Sequence, residues 1–325
     1  MKPARRRFLR LAAGTAALSA VPRLAWANDY PARPVRIVVG FPPGGGNDMT
    51  ARLIGQWLSE RLGQPFVIEN RPGAATNIAT EAVVRAPADG YTLLLAFTSN
   101  AINATLHDKL NFNFIGDIAP VAGIMRTPLV MQVNPSFPAK TVPEFIAYAK
   151  ANPGKVNMAS GGNGALGHVS GELFKTMTGV DMIHVPYRSD PAAIIDLLGG
   201  RVQVHFGGLA PSAETLRAGK LRALAVTTAA RAKALPEIPA IGEFVPGYES
   251  SAWFGIGAPK GTPAEIVDRL NKEINAGLAE PTIKARLADL GGTVLAGSPA
   301  DFGKFIADET DKWAKVIKFA GIKPQ

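Results

Sequence analysis

The 325-residue sequence contains no cysteine and only four histidines. Without thiols the chain can form no disulfide and can use no cysteine as a nucleophile or metal ligand. No two of the histidines have the helical spacing of a metal site. His184 and His205 lie in strand-like runs, and we interpret both as structural. We therefore expect a fold held together by burial alone, and no metal site.

Catalytic and nucleotide-binding motifs are also missing. The sequence has no G-x-S-x-G nucleophile elbow and no H-E-x-x-H zinc motif. The glycine run at residues 44–46 is followed by neither the third glycine of a dinucleotide fingerprint nor the Lys-Ser/Thr of a P-loop. We predict no catalytic residue, no cofactor and no enzyme activity. The alternative is an α/β enzyme, with Asp48, Asp190 and His168 as loose candidates.

Positive charge is concentrated at the N-terminus. The chain has 35 basic and 26 acidic residues, and residues 1–27 contain six of the basic ones and no acid. The apolar run LAAGTAALSAV and the sequence Ala-Trp-Ala follow, which is the pattern of a secretory signal. The arginines before Phe8 also resemble a twin-arginine signal, and the general route stays open. We predict an export signal at residues 1–27, cleaved after Ala27, and a periplasmic protein.

Removal of this signal leaves a nearly balanced charge. The mature chain would carry 29 basic against 26 acidic residues, with no block rich in lysine or arginine. This composition argues against a nucleic-acid partner. The apolar run of the signal is shorter than the roughly 20 residues that span a bilayer. We therefore expect a monomer with no stable membrane insertion.

A similar pattern occurs twice in the chain. The strand-like VRIVVGF leads into PPGGGND, a helix ending at Gly63, the strand PFVIEN and the turn RPGAATN. Later, KVNMAS leads into GGNGALG, a helix ending at Gly179, the strand DMIHVPY and the turn RSDPAA. Such alternation predicts an α/β fold with mostly parallel sheets. Ligands of these sheets lie beyond the carboxyl ends of the strands, where helix N-termini favour an anion.

Two stretches rich in proline and glycine, residues 133–145 and 235–263, predict crossovers between two lobes. We expect lobe 1 to comprise residues 28–130 and 250–325, and lobe 2 to comprise residues 131–249.

Several long motifs resemble one family. They are YPARPVRIVVGFPPGGGNDMTARLIG, VIENRPGAATNIA, ADGYTLLLAFTS, GELFKTMTGVDMIHVPYR and DLLGGRVQVHF, and they extend over the mature chain. They resemble the substrate-binding proteins of tripartite tricarboxylate transporters, the Bug receptors. The resemblance implies a two-lobed periplasmic-binding-protein (Venus flytrap) fold with a ligand cleft between the lobes. It also implies capture of a small carboxylate, such as a dicarboxylate or an aromatic acid, for the membrane components of a transporter. An exported α/β enzyme acting on a carboxylic acid, or a ligand sensor for a membrane signalling protein, stays open as an alternative.

The resemblance further implies that the ligand carboxylate lies between one glycine loop from each lobe, held by backbone amides and water. The lobe-1 loop is Phe41, Pro42, Gly44, Gly45, Gly46 and Asn47. The lobe-2 loop is Ser160, Gly161, Gly162, Asn163 and Gly164. Further wall positions are expected at Ala75, Thr76, Thr98, Ser99, Asn100 and Asn103. His168 is expected either to face the cleft or to pack inside the lobe.

Two departures from the family pattern bear on specificity. The turn after the strand ending in Pro-Tyr is Tyr187-Arg-Ser-Asp190-Pro, where a glycine-rich turn is common. Asp190 would either accept a ligand ammonium or cap its own helix. Gly207 and Gly208 stand where an acidic or amide residue is common. These glycines predict a roomier, less polar cleft with space for a bulky or aromatic acid.

Overall fold

A computed structural model describes residues 30–107, 109–233 and 235–323, without the side chain of Ala210. The predicted export signal lies outside the described residues. Within them, no helix has both the length and the apolar character needed to cross a bilayer.

The first part of the chain forms three strands, each followed by a helix. These are β1 (Val35–Val39), α1 (Gly46–Leu62), β2 (Phe66–Asn70), α2 (Asn77–Val84), β3 (Thr92–Phe97) and α3 (Thr98–Leu106). β1 pairs in parallel with both β2 and β3. The predicted end of the first helix is confirmed, because Gly63 caps α1 in the left-handed conformation that glycine adopts readily.

The middle of the chain repeats this unit after a long connecting strand. Its elements are α4 (Phe114–Asp117), β4 (Ile118–Val133), α5 (Val142–Ala151), β5 (Val156–Ser160), α6 (Leu166–Thr178), β6 (Met182–Pro186), α7 (Asp190–Leu198), β7 (Val204–Gly208) and α8 (Leu209–Arg217). β5 pairs in parallel with β6 and β7, as β1 does with β2 and β3. Gly179 caps α6, also as predicted. The duplicated pattern in the sequence thus corresponds to a duplicated arrangement of strands.

The last elements return to the first unit. They are β8 (Arg222–Val226), β9 (Ser251–Pro259), α9 (Ala264–Ala279), α10 (Pro281–Asp289), β10 (Thr293–Val294) and α11 (Pro299–Ala320). The strand order is β2-β1-β3-β9-β4-β7-β5-β6, with β8 and β10 also pairing with β4. β9 is antiparallel to β3 and to β4, a reversal that the predicted parallel units do not contain.

The long strand β4 belongs to both units. It pairs with β9 as far as Pro128, and with β7 and β8 from Leu129 or Val130 to Val133. The change of partners at residues 128–129 lies close to the lobe limit predicted at residue 130, and those limits remain predictions. Helices cover the sheet, and Trp253 and Trp313 are fully buried. Each such large side chain contributes roughly 2–3 kcal/mol through burial.

Candidate functional site

The predicted ligand residues gather at two edges of the sheet. We call the carboxyl ends of β1, β2 and β3 the first edge, and those of β5, β6 and β7 the second edge. Parallel pairing places the three strand ends together at each edge. The loop at residues 40–46, the turn at 71–76 and the start of α3 lie at the first edge. The loop at residues 161–165, the turn at 187–189 and the start of α8 lie at the second.

The glycine loop at the first edge is exposed but internally braced. Gly44 has a φ of +86°, and its N–H donates to Asp48 Oδ2 at 3.0 Å. Asp48 is buried and also accepts from Arg52 Nε at 2.8 Å and Asn70 Nδ2 at 3.0 Å. The Arg52 hydrogen bond is the largest cause that lowers the Asp48 pKa to about 2, against the effect of burial. Asp48 is therefore an ionised brace of the loop and a poor proton donor or acceptor.

The start of α1 leaves backbone donors open to solvent. Gly45 is its N-cap and has no side chain with which to accept from the first turn. Gly45 and Gly46 are exposed, and nothing lies within 4 Å of a Cβ placed on either. The first N–H groups of the helix, with its partial positive charge, can therefore reach an anion. Around this point Pro42 is exposed, while Phe41 and Asn47 are half-buried.

Helices at the two edges generally lack side-chain caps. No N-cap side chain accepts from the first turn of α1, α2, α3, α6 or α8, although Asn100 Oδ1 accepts from the Phe97 N–H at the start of α3. Side chains do cap α4, α5 and α11, which begin elsewhere, and α7 is the exception at the second edge. α9 and α10 are also uncapped, but neither follows a strand end at these edges. Of these helix starts, that of α1 is exposed at Gly45 and Gly46, and its open donors suit an anionic ligand.

The turn before α2 is strained. Ala74, Ala75 and Thr76 all have positive φ, at 44°, 50° and 82°. Left-handed backbone costs a non-glycine residue roughly 1–2 kcal/mol. Two buried amides hold the turn, since Asn103 Nδ2 donates to the Ala75 carbonyl at 2.6 Å and Asn100 Nδ2 to Thr76 Oγ1 at 3.2 Å. The predicted wall residues Asn100 and Asn103 thus fix the turn, while Ala75 is exposed.

The start of α3 presents less side chain than the sequence suggests. Thr98 is fully buried, and its Oγ1 accepts from the backbone N–H of Trp253 at 2.8 Å. Ser99 is half-buried. The ring of Phe97 packs against Phe41 with centroids 5.1 Å apart, which gives this edge an apolar surface.

Two stacked imidazoles support the loop at the second edge. The rings of His168 and His184 have centroids 3.5 Å apart and planes 7° apart. His168 Nδ1 accepts from the Gly164 N–H at 3.0 Å, and His184 Nε2 lies 2.7 Å from Ser160 Oγ. Ser160 Oγ also donates to the Gly162 carbonyl at 2.9 Å. His168 therefore packs inside, where it fixes the loop.

Burial keeps both imidazoles neutral. Desolvation is the largest cause that lowers the pKa of His168 to about 3, followed by the charges of His184 and Lys175. Desolvation, and then Lys175, lowers the pKa of His184 to about 4. His168 is thus ill-suited to take up a proton at neutral pH. Asn163 lies at the same loop, and its Nδ2 donates to the carbonyl of Lys323 at 2.5 Å.

The turn after β6 settles how α7 is capped. Ser189 Oγ accepts from the Ala192 N–H, so Asp190 does not cap its own helix. Asp190 Oδ1 instead lies 3.2 Å from His205 Nε2. Tyr187 OH donates to Asp196 Oδ2 at 2.7 Å, and burial followed by this contact raises the pKa of Tyr187 to about 12.

The structure differs from the expectation at Gly207. A Cβ there would lie 2.0 Å from His205 Cε1, because the His205 ring leans along the strand into that space. The space gained by this glycine is therefore filled from within the protein. Gly208 is half-buried, and the nearest atom to a Cβ there is Pro211 Cδ at 3.5 Å.

Sequence reasoning did not select the residues that support the two loops. Asn70 and Gln132 were not considered, and His184 and His205 were interpreted only as structural. Each of them contacts a residue from another part of the chain, which spacing does not show. The available signal was a polar residue inside an apolar strand, as with Gln132 in VMQV and His205 in VHF.

Outside the two edges, the described chain shows no comparable grouping of the predicted ligand residues. No group of three or more His, Asp or Glu side chains there is arranged to hold a metal ion. A cavity of about 550 Å³ lies between α8 and the end of α10, but it contains none of the predicted ligand residues.

Sequence comparisons relate the chain to transport receptors. A family model described as "Tripartite tricarboxylate transporter family receptor" matches residues 50–322. Protein BugT of Bordetella pertussis is 37% identical over 300 residues, which are 91% of this chain and 92% of that protein.

Solved structures give the same relation. The structure "R. palustris Rpa4515 with adipate" has a TM-score of 0.80 and 41% identity, over 91% of this chain and 100% of that chain. MatC from Rhodopseudomonas palustris with bound malate has a TM-score of 0.74 and 31% identity, over 89% of this chain and 100% of that chain. The periplasmic binding protein BugD has a TM-score of 0.75 and 33% identity, over 91% of this chain and 100% of that chain. These likenesses confirm the predicted two-lobed α/β fold of periplasmic binding proteins.

Proposed function

This chain belongs to the receptor family of tripartite tricarboxylate transporters, and from that premise we propose that it captures a small carboxylate in the periplasm. The captured acid is delivered to the membrane components of a transporter. Residues 1–27 direct export and are removed after Ala27, and the mature receptor is a monomer. Related receptors whose structures contain adipate and malate support a carboxylate as the ligand.

One observation carries the proposal for this chain. The first turn of α1 is exposed and uncapped at Gly45 and Gly46, in the glycine loop that the sequence singles out. A carboxylate there would accept from main-chain N–H groups and lie at the positive end of the helix. The start of α6 at the second edge also lacks a side-chain cap, although its first turn is more buried than that of α1. A ligand that used both would favour the closed arrangement of the lobes.

The enzyme alternative is not favoured by these contacts. Of its three loose candidates, Asp48 is ionised by its partners and His168 is kept neutral by burial. Asp190 remains, but general acid–base chemistry needs a partner of matched pKa within reach of the substrate.

The first test is a thermal-shift screen of the chain from residue 28 onwards. The panel contains adipate, malate, aromatic acids, amino acids and neutral sugars. A ligand at a hundredfold excess over its Kd stabilises the folded state by about 2.7 kcal/mol. We expect a shift with carboxylates and recovery of the acid unchanged. Shifts with sugars alone, or chemical conversion of the acid, would contradict the proposal.

The placement of the carboxylate is tested by Gly45→Asp with Gly45→Asn as its matched control. Both side chains fit, because nothing lies within 4 Å of a Cβ at Gly45, and both are favourable N-caps. We expect unfolding free energies within about 0.5 kcal/mol of the parent for both variants. Gly45→Asp should lose carboxylate binding through repulsion, and Gly45→Asn should lose less. Calorimetric titration that finds unchanged affinity in Gly45→Asp would show that the carboxylate binds elsewhere.

A further inference from the structure

Asp190 places an acid at the second edge, inside the proposed cleft. Its Oδ1 lies 2.7 Å from where a Cβ of Gly161 would be, so the carboxylate borders the lobe-2 loop. Its side chain keeps 33% of its surface exposed. The acid therefore faces both the protein and the space that a bound ligand would occupy.

A buried chain of polar contacts supports Asp190 on its protein side. Gln132 Nε2 lies 2.9 Å from His205 Nδ1 and donates to Ser212 Oγ at 2.8 Å. Ser212 Oγ in turn donates to the Gly208 carbonyl at 3.3 Å. Gln132 Oε1 is buried without a hydrogen-bond partner among the described residues, and His205 Nε2 lies 3.2 Å from Asp190 Oδ1. These contacts hold the His205 ring against Asp190 and fix the position of its carboxylate.

The other carboxylate oxygen is available. In the part of the chain that the structure describes, Asp190 Oδ2 has no hydrogen-bond partner. An ionised carboxylate can accept several hydrogen bonds at its two oxygens, so a ligand donor would add to the existing contact. A second carboxylate at the same place would instead meet a like charge.

We propose that Asp190, positioned by His205, is a specificity residue that selects carboxylates carrying an ammonium group, and disfavours dicarboxylates of the same length. The inference rests on the proposed function, since it concerns the other end of the same ligand. The first edge and the helix N-termini receive the carboxylate, and Asp190 receives the ammonium. A ligand whose far end is uncharged still binds, but Asp190 adds nothing to its affinity.

A purely structural role for Asp190 makes a different prediction. Asp190 is in the first turn of α7, where an acid favours the helix by about 0.3–1 kcal/mol. Were this its only role, removal of its charge would lower stability slightly and leave the preference among ligands unchanged. The preference among ligands therefore separates the two roles.

The first experiment needs only the unmodified mature protein. Calorimetric titration compares adipate, ε-aminohexanoate and hexanoate, and then succinate, γ-aminobutyrate and butyrate. Within each set the ligands differ only at one end. We expect the ammonium acid to bind tightest and the dicarboxylate weakest in the set that fits. A hydrogen bond to a charged group corresponds to about tenfold or more in affinity.

The second experiment uses Asp190→Asn, which keeps the shape and an acceptor for His205. The matched control is Asp181→Asn, which makes the same charge change just before β6, at the opposite end of that strand. Asp190→Asn should weaken the ammonium acid about tenfold or more and strengthen the dicarboxylate. Asp181→Asn should leave the order as in the parent.

Several results would overturn the assignment. They are tighter binding of a dicarboxylate than of its ammonium counterpart, equal binding of all members of a set, or the same order in Asp190→Asn as in the parent. A protein that binds other carboxylates but neither ammonium acid also overturns it. A failure of the proposed function is distinct, because then no carboxylate in the thermal-shift panel stabilises the protein.

Discussion

The absence of a side chain at Gly207 allows His205 to reach Asp190. The His205 ring occupies the space beside this glycine, with Cε1 only 2.0 Å from the position of a Cβ. His205 is fully buried, so its ring cannot turn outwards into solvent. Gly207, which in the sequence suggests extra space in the cleft, is thus required by the ring of His205 two residues away.

Gly207→Ala should therefore destabilise the protein, whereas Gly208→Ala should be tolerated. Overpacking of a well-packed interior costs typically 1–3 kcal/mol, and we expect a loss in this range for Gly207→Ala. At Gly208 the nearest atom to a new Cβ lies at an ordinary contact distance of 3.5 Å, so the change should be within about 0.5 kcal/mol. Urea unfolding of the two variants measures the difference. Equal stability of both would show that the ring of His205 can move aside.

Residue roles were harder to predict than residue positions. The glycine loops could be selected from the sequence, because glycine between a strand and a helix indicates a close approach of the backbone. The braces could not, since Asp48 and Asn70 are 22 residues apart and meet only when β1 and β2 pair. Whether the selected residues contact the ligand stays a prediction.

At the scale of elements, the link between β5 and α6 depends on two neutral imidazoles. His168 accepts from the loop at Gly164, and His184 holds Ser160 at the end of β5. Glu172 lies 3.8 Å from His168 Nε2, and Lys175 pairs with Glu172. Protonation of His168 would remove the acceptor on which the loop relies.

This arrangement predicts that stability falls as the solution is acidified below pH 6.5. The unfolded chain takes up protons near the ordinary histidine pKa of 6.5, but the folded protein does so only near pH 4 and pH 3. Within that window each histidine lowers the unfolding free energy by about 1.4 kcal/mol per pH unit. Above pH 6.5 no unfolding free energy is lost, and the loss is complete once the pH is below the pKa values of both histidines in the folded protein.

Urea unfolding between pH 7 and pH 5 measures this slope. Asp48 adds little there, since its stabilising contribution is lost only as pH falls from its ordinary pKa of 3.8 towards about 2. His168→Asn is the control variant, because its Oδ1 takes the position of the Nδ1 that accepts from Gly164 and the amide has no charge to gain. It should show a shallower slope than the parent. Identical slopes would contradict the assignment of the effect to His168.

Element types and helix ends were largely predictable. Alternation of strand and helix, with glycine at residues 63 and 179, predicted both units and their C-caps. The antiparallel strands β4 and β9 could not be predicted in the same way. Their direction depends on where the chain crosses between units, and a local pattern does not contain that information.

At the scale of the whole molecule, the two units share β4 and are joined by charge contacts beside it. Glu249, just before β9, pairs with Arg126 of β4 and with Lys312 of α11 at 3.0 Å. The charges of Lys312 and Arg126 hold the pKa of Glu249 below its usual range, against the opposing effect of burial. Because β4 pairs with strands of both units, neither unit has a complete sheet without the other.

Shared strands predict that the mature protein unfolds in a single transition. Scanning calorimetry should give one peak whose calorimetric and van't Hoff enthalpies agree. The expected enthalpy is roughly 200 kcal/mol near 60 °C for a chain of this size. A carboxylate ligand that binds between the two units as proposed should move the whole peak to higher temperature. Two resolved peaks, of which the ligand moves only one, would contradict this prediction.

The exposed backbone donors at Gly45 and Gly46 have a consequence for how such receptors diverge. A main-chain N–H is retained on every substitution except proline, so backbone donors are lost less readily than side-chain donors. Side chains such as Asp190 can be exchanged in one step. In a receptor that binds its ligand as proposed, a change at Asp190 would therefore alter the preferred acid while the backbone donors for the carboxylate are kept.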